Sequence, residues 1–203
     1  MAASIQKCSL QDFVAELKRV PEQAFSDTGS VQKFLFEHPV DPSTLEPYLF
    51  WDLQHYTRNL IDKTPVYELM AICWEIGQAS SVHNHKDQNC WMAVPIGRLL
   101  VQNYRVVYQD ASAGKCRIEK TGIVEMKPDS PLAVNPEAPV HKVFNPREFK
   151  NRAVSLHIYS RPFASCTVYS EENQTCGEIA LIFTTEYGVN TPPFQEVKDA
   201  SSI

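Results

Sequence analysis

Two histidines one residue apart, His83 and His85 in the string SSVHNHKDQNC, are the first residues of this chain whose types and spacing suggest chemistry. In an extended segment, residues two apart project from the same face, so both imidazoles can aim at one point, as two ligands of a metal ion do. In a Ser- and Asn-rich turn the same pair is two surface histidines, and the pair alone does not choose between the readings. A second pattern lies in AVSLHIYS, where Ser155, His157 and Tyr159 alternate with Leu156 and Ile158. A strand there carries a hydroxyl, an imidazole and a phenol on one face and packs its apolar residues on the other. Such a file can pass a hydrogen bond along to the phenol, which can then stabilise negative charge on a reacting atom; the plain alternative is a satisfied polar stripe. Arg58, in HYTRNLI, offers a planar donor fork that fits a small carboxylate bidentately, unless it is a surface arginine.

The elements that must position these groups fall into two parts. From Ser9, the apolar residues Leu10, Phe13, Val14 and Leu17 recur at helical spacing, with Ser9 as the cap and Pro21 as the stop. A second helix is expected after Ser30 (VQKFLFEH) and a third after Asp41-Pro42, burying Leu45, Tyr48 and Leu49. Residues 1–52 therefore read as mostly helical. From about residue 55 to 190 the chain becomes a series of short Val-, Ile-, Tyr- and Phe-rich runs separated by turn residues: VYELMAICWEI, WMAVPIGRLLVQNYRVVY, RIEKTGIVEM, VHKVF, AVSLHIYS, ASCTVYS and EIALIFTTEYG. That grammar predicts a mainly β fold, a sandwich or barrel. Hairpin turns are expected at DASAG (Asp110–Gly114) and EENQT (Glu171–Thr175), and a surface connection from Pro128 to Pro139. With no repeat and no flexible linker, residues 1–203 read as a single domain, the helices packed on the barrel.

Composition narrows the partners. Nineteen Lys plus Arg against 24 Asp plus Glu give a formal charge of -5, which advertises no basic surface for nucleic acid or anionic lipid. No apolar run approaches the ~20 residues needed to span a bilayer, and the start MAASIQKCSL lacks a secretion signal. Six scattered cysteines in a chain of this size suit a reducing, cytoplasmic setting. Five of them (Cys8, Cys73, Cys116, Cys166 and Cys176) have no metal-ligand spacing and read as packing, with Cys166 also a candidate for the rim of the pocket. The tryptophans Trp51, Trp74 and Trp91 read as core or pocket wall.

The spacing of Gly77, His83, His85 and Gly97 resembles the first motif of the cupin barrels, with Cys90 standing where those barrels usually carry a glutamate ligand. His141 and Asn145, preceded by Pro136, resemble the second motif, which supplies a third histidine. Joined with HYTRNLI, VHNHKDQNC, VHKVFN and AVSLHIYSRPFASC, these strings closely resemble the cysteine dioxygenase family of cupin-type thiol dioxygenases, from about Tyr56 to Tyr187. The resemblance implies a small monomeric cupin-type β-barrel (a double-stranded β-helix) that holds Fe(2+) through His83, His85 and His141. It implies addition of both atoms of O2 to a small thiol, most fittingly cysteine, to give a sulfinate. It assigns the substrate carboxylate to Arg58 with Tyr56 nearby, and Ser155, His157 and Tyr159 to the hydrogen-bond file. In eukaryotic members a cysteine at the position of Cys90 is joined by a thioether to the tyrosine equivalent to Tyr159, so a Cys90–Tyr159 crosslink is expected. Three neutral imidazoles suit iron, cobalt, nickel and zinc alike, so iron comes from the resemblance and not from the donors.

Departures from the familiar pattern matter. The mammalian members carry Pro-Pro after the serine that follows the tyrosine, whereas this chain has Ser160-Arg161-Pro162. A cis bond before a non-proline residue costs about 3 kcal/mol, so the loop is expected to run differently. Arg161 is either a second anion contact, which would leave room for a more acidic thiol such as mercaptosuccinate, or a surface salt bridge. Asn84 replaces a common Asp and is expected to face away from the metal. In enzymes of 3-mercaptopropionate a glutamine usually replaces the arginine, so Arg58 and Cys90 favour cysteine. Rival readings are a zinc or manganese isomerase or hydrolase on the same barrel, for which a carboxylate ligand is missing near the histidine pair, and a non-catalytic metal-binding cupin sensor.

Overall fold

A computed structural model describes residues 6–191. The helical part opens with α1 (Leu10–Leu17), capped by Ser9, whose Oγ accepts from the Asp12 N–H, and buries Leu10, Phe13 and Leu17. Helix α2 spans Thr28–Glu37. It begins earlier than the predicted start after Ser30, because the Asp27 carboxylate accepts from the N–H groups of both Gly29 and Ser30 and also complements the positive end of the helix. The third predicted helix forms at Pro42–Tyr48 behind the expected Asp41 cap, but as a 3-10 helix containing Pro47. A proline has no N–H to continue an α-helical ladder.

Thirteen strands follow among the described residues: β1 (Thr57–Lys63), β2 (Glu68–Trp74), β3 (Val82–His83), β4 (Asn89–Ile96), β5 (Leu99–Asp110), β6 (Lys115–Met126), β7 (Leu132–Ala133), β8 (His141–Phe144), β9 (Ala153–Ser160), β10 (Ser165–Ser170), β11 (Thr175–Ala180), β12 (Thr185–Glu186) and β13 (Val189–Asn190). They make a seven-stranded sheet in the order β13-β12-β1-β2-β9-β4-β7 and a six-stranded set, β10-β11-β6-β5-β8-β3, that closes on itself. The mainly β fold of double-stranded β-helix type with a small helical segment is as expected. Both predicted hairpin turns are in place, between β5 and β6 and between β10 and β11. Two runs behave differently. The segment from Pro128 to Pro139 is not only a connection: it contributes β7, which pairs with β4, and buries Val134. EIALIFTTEYG is not one strand, because β11 ends at Ala180 and β12 joins β1 in parallel.

The run ELMAICW shows no alternation because both faces of β2 are covered. Leu69, Ala71 and Cys73, with Leu156 and Ile158 of β9, pack outward against α1 and α2. Met70, Ile72 and Trp74 point the other way, into the barrel with Cys90 and Tyr159. Each large apolar side chain so buried contributes about 1.5–3 kcal/mol, which fixes β2 and β9 firmly between two cores. These two strands and β4 carry the inward polar residues. At the β4–β5 corner Gly97 adopts φ +74, and a β-carbon there would collide with the Arg152 carbonyl; only glycine turns the chain so tightly against another backbone.

Candidate metal centre

His83 ends β3 and lies directly opposite His141 of β8. His85 follows just beyond the strand, before the turn at Lys86 and Asp87. The alternation predicted for an extended segment therefore carries through to His85 although the strand itself stops at His83. Ring centroids are 5.3 Å apart for His83 and His85, 4.9 Å for His83 and His141, and 4.8 Å for His85 and His141. One ligand nitrogen from each lies within 4.8 Å of the others. The donor set fits a metal: both ring nitrogens of His85 and Nδ1 of His141 are buried without a hydrogen-bond partner. Buried polar atoms are normally paired, so unpaired imidazole nitrogens converging on one point are what an ion would satisfy. His83 Nδ1 lies 2.9 Å from the Ser81 carbonyl, which makes it the donor and leaves Nε2 as the ligand atom. Burial pushes all three histidines below their ordinary pKa, well below for His85 and His141, so each keeps its lone pair at neutral pH.

The polar file of β9 is assembled as the alternation predicted. Ser155 Oγ lies 2.8 Å from His157 Nε2, and His157 Nδ1 lies 3.0 Å from the Tyr159 hydroxyl, all buried. Sequence reasoning missed the start of this chain: Trp74, read only as core or wall, donates its indole N–H to Ser155 Oγ at 2.9 Å. Burial drives the His157 imidazole down to about 3 and the Tyr159 phenol well above its usual value, so both are neutral. The Tyr159 ring stands 5.4 Å from that of His85 and edge-on to Phe163 at 5.2 Å. Tyr159 is also the cross-strand partner of Cys90 on β4. The Cys90 thiol is buried among these groups and pushed strongly up by that burial.

Arg58 enters from β1, which lies between β12 and β2, and Tyr56 from the residue just before it. Tyr56 stacks on Trp74 at 4.6 Å. The Arg58 guanidinium lies 5.8 Å from the Phe183 ring centre, and its Nε and Nη2 are buried without a partner. Its charge acts on His83, His85, His157, Cys90, Tyr159 and Cys166, which places it among them. Cys166 is buried on β10, with its thiol pushed up by burial and pulled down by Arg58 and Lys86. It belongs to the wall of this region, whereas Cys8, Cys73, Cys116 and Cys176 lie away from the histidines in the other clusters.

For the loop after Tyr159, one expectation is corrected and one open alternative is decided. The Ser160–Arg161 peptide bond is cis despite the arginine, with the Arg161 N–H tied to the Gln88 side chain. Arg161 is not an anion contact of the pocket: its side chain is 69% exposed and its guanidinium pairs with Glu22 at 2.8 Å. Asn84 faces away from the metal centre, as expected, accepting from the Thr167 N–H on β10. Asn145 of the second motif is no ligand either. It is buried and donates to the carbonyls of Trp74, Glu75 and Asn151, joining β2 to the loop before β9.

The sequence matches the family model for cysteine dioxygenase type I over residues 1–172. Curated relatives named cysteine dioxygenase type 1 include those of Danio rerio (26% identical, covering 91% of this chain and 90% of the relative), Homo sapiens (27%, 88% and 90%) and Bos taurus (28%, 88% and 90%). Among solved structures, TT1209 from Thermus thermophilus is 18% identical with a TM-score of 0.43, over 58% of this chain and 95% of that one. A cupin from Desulfovibrio desulfuricans is 14% identical with a TM-score of 0.43, over 57% and 91%. With the family pattern spanning all but the end of the chain, this protein belongs to the cysteine dioxygenase type I family.

Proposed function

We propose that the protein is an iron(II)-dependent thiol dioxygenase acting on a small thiol carboxylate, with L-cysteine the best fit and cysteine sulfinate the product. The observation that carries the substrate reading is the pair of buried, partnerless N–H donors on Arg58 beside Tyr56 and Tyr159. An uncompensated buried charge costs several kcal/mol, and a substrate carboxylate landing on the guanidinium fork removes that cost with two charge-assisted hydrogen bonds. His83, His85 and His141 would hold the iron. Bound there, it supplies the Lewis acidity that favours a thiolate and the redox chemistry that activates O2. The sulfur itself gives up four electrons as both oxygen atoms are added, so no separate reductant enters.

The remaining roles fall to the chain's own groups. Arg58 anchors the far end of the substrate and turns the thiol toward the histidines, a gain in orientation that accounts for much of the rate of bimolecular enzymes. Tyr159, held by His157, directs its phenolic O–H into the pocket to orient the thiol and steady charge that develops during transfer. Met70, Met92 and Phe163 surround these groups with apolar side chains and strengthen every electrostatic contact among them. Cys90, directly across from Tyr159, is placed to lose its thiol hydrogen while the phenol ring loses one, forming a thioether as O2 takes up both hydrogens and two electrons to leave hydrogen peroxide. Intact-mass analysis after turnover should find a species lighter by two hydrogens that is absent from Cys90→Ser.

The test is O2 uptake and sulfinate formation with cysteine, cysteamine, 3-mercaptopropionate and mercaptosuccinate, using protein loaded with ferrous iron under nitrogen and then exposed to air. Cysteine should be turned over most efficiently. No O2 uptake with any of these thiols would leave only a metal-binding, non-catalytic cupin. Turnover of a different thiol acid in preference to cysteine would keep the activity and overturn the substrate.

A further inference from the structure

Every positive charge around the pocket except Arg58 is already committed to a carboxylate among the described residues. Arg161 pairs with Glu22 at 2.8 Å and Lys86 with Glu178 at 2.8 Å, both on the exposed exterior. The third pair is different in its acid: Glu68 is buried while Lys63, its base, is 42% exposed. Glu68 opens β2 directly opposite Lys63 on β1 and directly opposite Tyr159 on β9. Since Tyr159 in turn faces Cys90 on β4, the residues Lys63, Glu68, Tyr159 and Cys90 form one row across the sheet on its inward face. Glu68 is 1% exposed, neither of its carboxylate oxygens has a hydrogen-bond partner, and among the described residues its one salt-bridge partner is Lys63 Nζ at 3.5 Å. Lys63 reaches the same ring that Arg58 does: its Nζ lies 5.6 Å from the centre of the Phe183 ring, which packs against the core cluster that contains Cys90 and Tyr159.

We propose that Glu68 is a specificity-determining residue that limits the pocket to substrates with a single carboxylate, by holding Lys63 and by placing a buried negative charge beside Tyr159. The inference rests on the reading of the pocket as a site for thiol carboxylates. A monocarboxylate satisfies Arg58 and needs nothing more. A thiol dicarboxylate brings a second negative charge into a pocket whose remaining interior groups are neutral imidazoles, phenols and thiols. It meets Glu68 and finds no free cation, and like charges facing one another across a desolvated contact are strongly unfavourable. Removing the Glu68 charge releases Lys63 to receive that second carboxylate, so the change should be a gain and not only a loss.

The experiment compares 3-mercaptopropionate with mercaptosuccinate, which differ by one carboxylate, by titration calorimetry of the iron-loaded protein under nitrogen, with O2 uptake measured separately. The natural protein should bind 3-mercaptopropionate about tenfold or more tightly than mercaptosuccinate. Glu68→Gln should bring the ratio close to unity by strengthening mercaptosuccinate binding, and Lys63→Met combined with Glu68→Gln should restore discrimination. Equal affinities in the natural protein would overturn the proposal without any variant, and so would an unchanged ratio in Glu68→Gln. Because the readout is binding without oxygen, a protein that discriminates yet oxidises no thiol would refute the dioxygenase reading while leaving the role of Glu68 standing.

Discussion

Replacing Ser155 by alanine tests how Tyr159 is held. The indole N–H of Trp74 can only donate, so Ser155 Oγ accepts that bond. The one proton of Ser155 is then directed to His157 Nε2, its other neighbour. That makes Nδ1 the protonated nitrogen of His157, donating to the Tyr159 oxygen and leaving the phenolic hydrogen free for the pocket. In Ser155→Ala the Trp74 N–H and His157 Nε2 are both left buried without partners. Each such orphan costs about 1–3 kcal/mol, so the expected destabilisation is about 2–6 kcal/mol, which for a chain of this size lowers Tm by roughly 4–24 °C. Urea unfolding of proteins matched in metal content measures the loss. Trp74→Phe completes a double-mutant cycle: once Ser155 is gone, removing the indole N–H removes an orphan, so the change costs about 1–2 kcal/mol less than in the natural background. The cavity left by the smaller ring is common to both backgrounds and cancels. Nitrogen NMR of His157 reads the tautomer directly. A loss below about 1 kcal/mol, strict additivity, or a proton on Nε2 would refute the relay.

Four further outcomes can be checked. Arg58→Gln should raise KM for cysteine by about 10- to 100-fold with metal content unchanged, since a charge-assisted bidentate contact is lost, whereas His141→Ala should lose the metal; equal metal loss in both would contradict the two roles. His157, lowered from an ordinary 6.5 to about 3 by burial, contributes stability that is present above pH 6.5 and drains away as pH falls toward 3, by up to about 1.4 kcal/mol per unit. The stability gap between the natural protein and His157→Gln should therefore shift against the natural protein on acidification, and a gap independent of pH would sink the assignment. Glu68 is raised by burial, opposed by Lys63 and Arg58, so its carboxyl costs stability as pH rises through its folded pKa; Glu68→Gln should gain in Tm relative to the natural protein as pH rises from about 4.5, and a gain that shrinks would refute burial as the dominant cause.

What could be read from the sequence follows from how local the determining contact is. Ser155, His157 and Tyr159 were legible because a two-residue period is written into eight consecutive residues, and the strand β9 realises it without outside help. The convergence of His141 on His83 is a pairing between strands far apart in the chain. Nothing in the period of either segment encodes it, and only the likeness to a known family supplied it. The indole of Trp74 was placed correctly in the core, but its one polar atom finds Ser155 through a bond that exists only once β2 lies against β9. The same limit explains Arg161, where two roles stood open because the deciding partner, Glu22, sits in the helical segment on the far side of the sequence. It explains Glu68 most clearly. At the head of the apolar run ELMAICW it looks like the polar edge of a buried strand, and its neighbours Lys63 and Tyr159 appear only with the register. The Ser155, His157 and Tyr159 file and the His83 and His85 pair are spaced by the period of single segments, while His141 and the charges that would decide which molecule enters are set across strands. A relative sharing the histidines, Arg58 and Tyr159 but lacking an acid opposite the tyrosine should therefore keep the chemistry and differ in its tolerance of a second carboxylate.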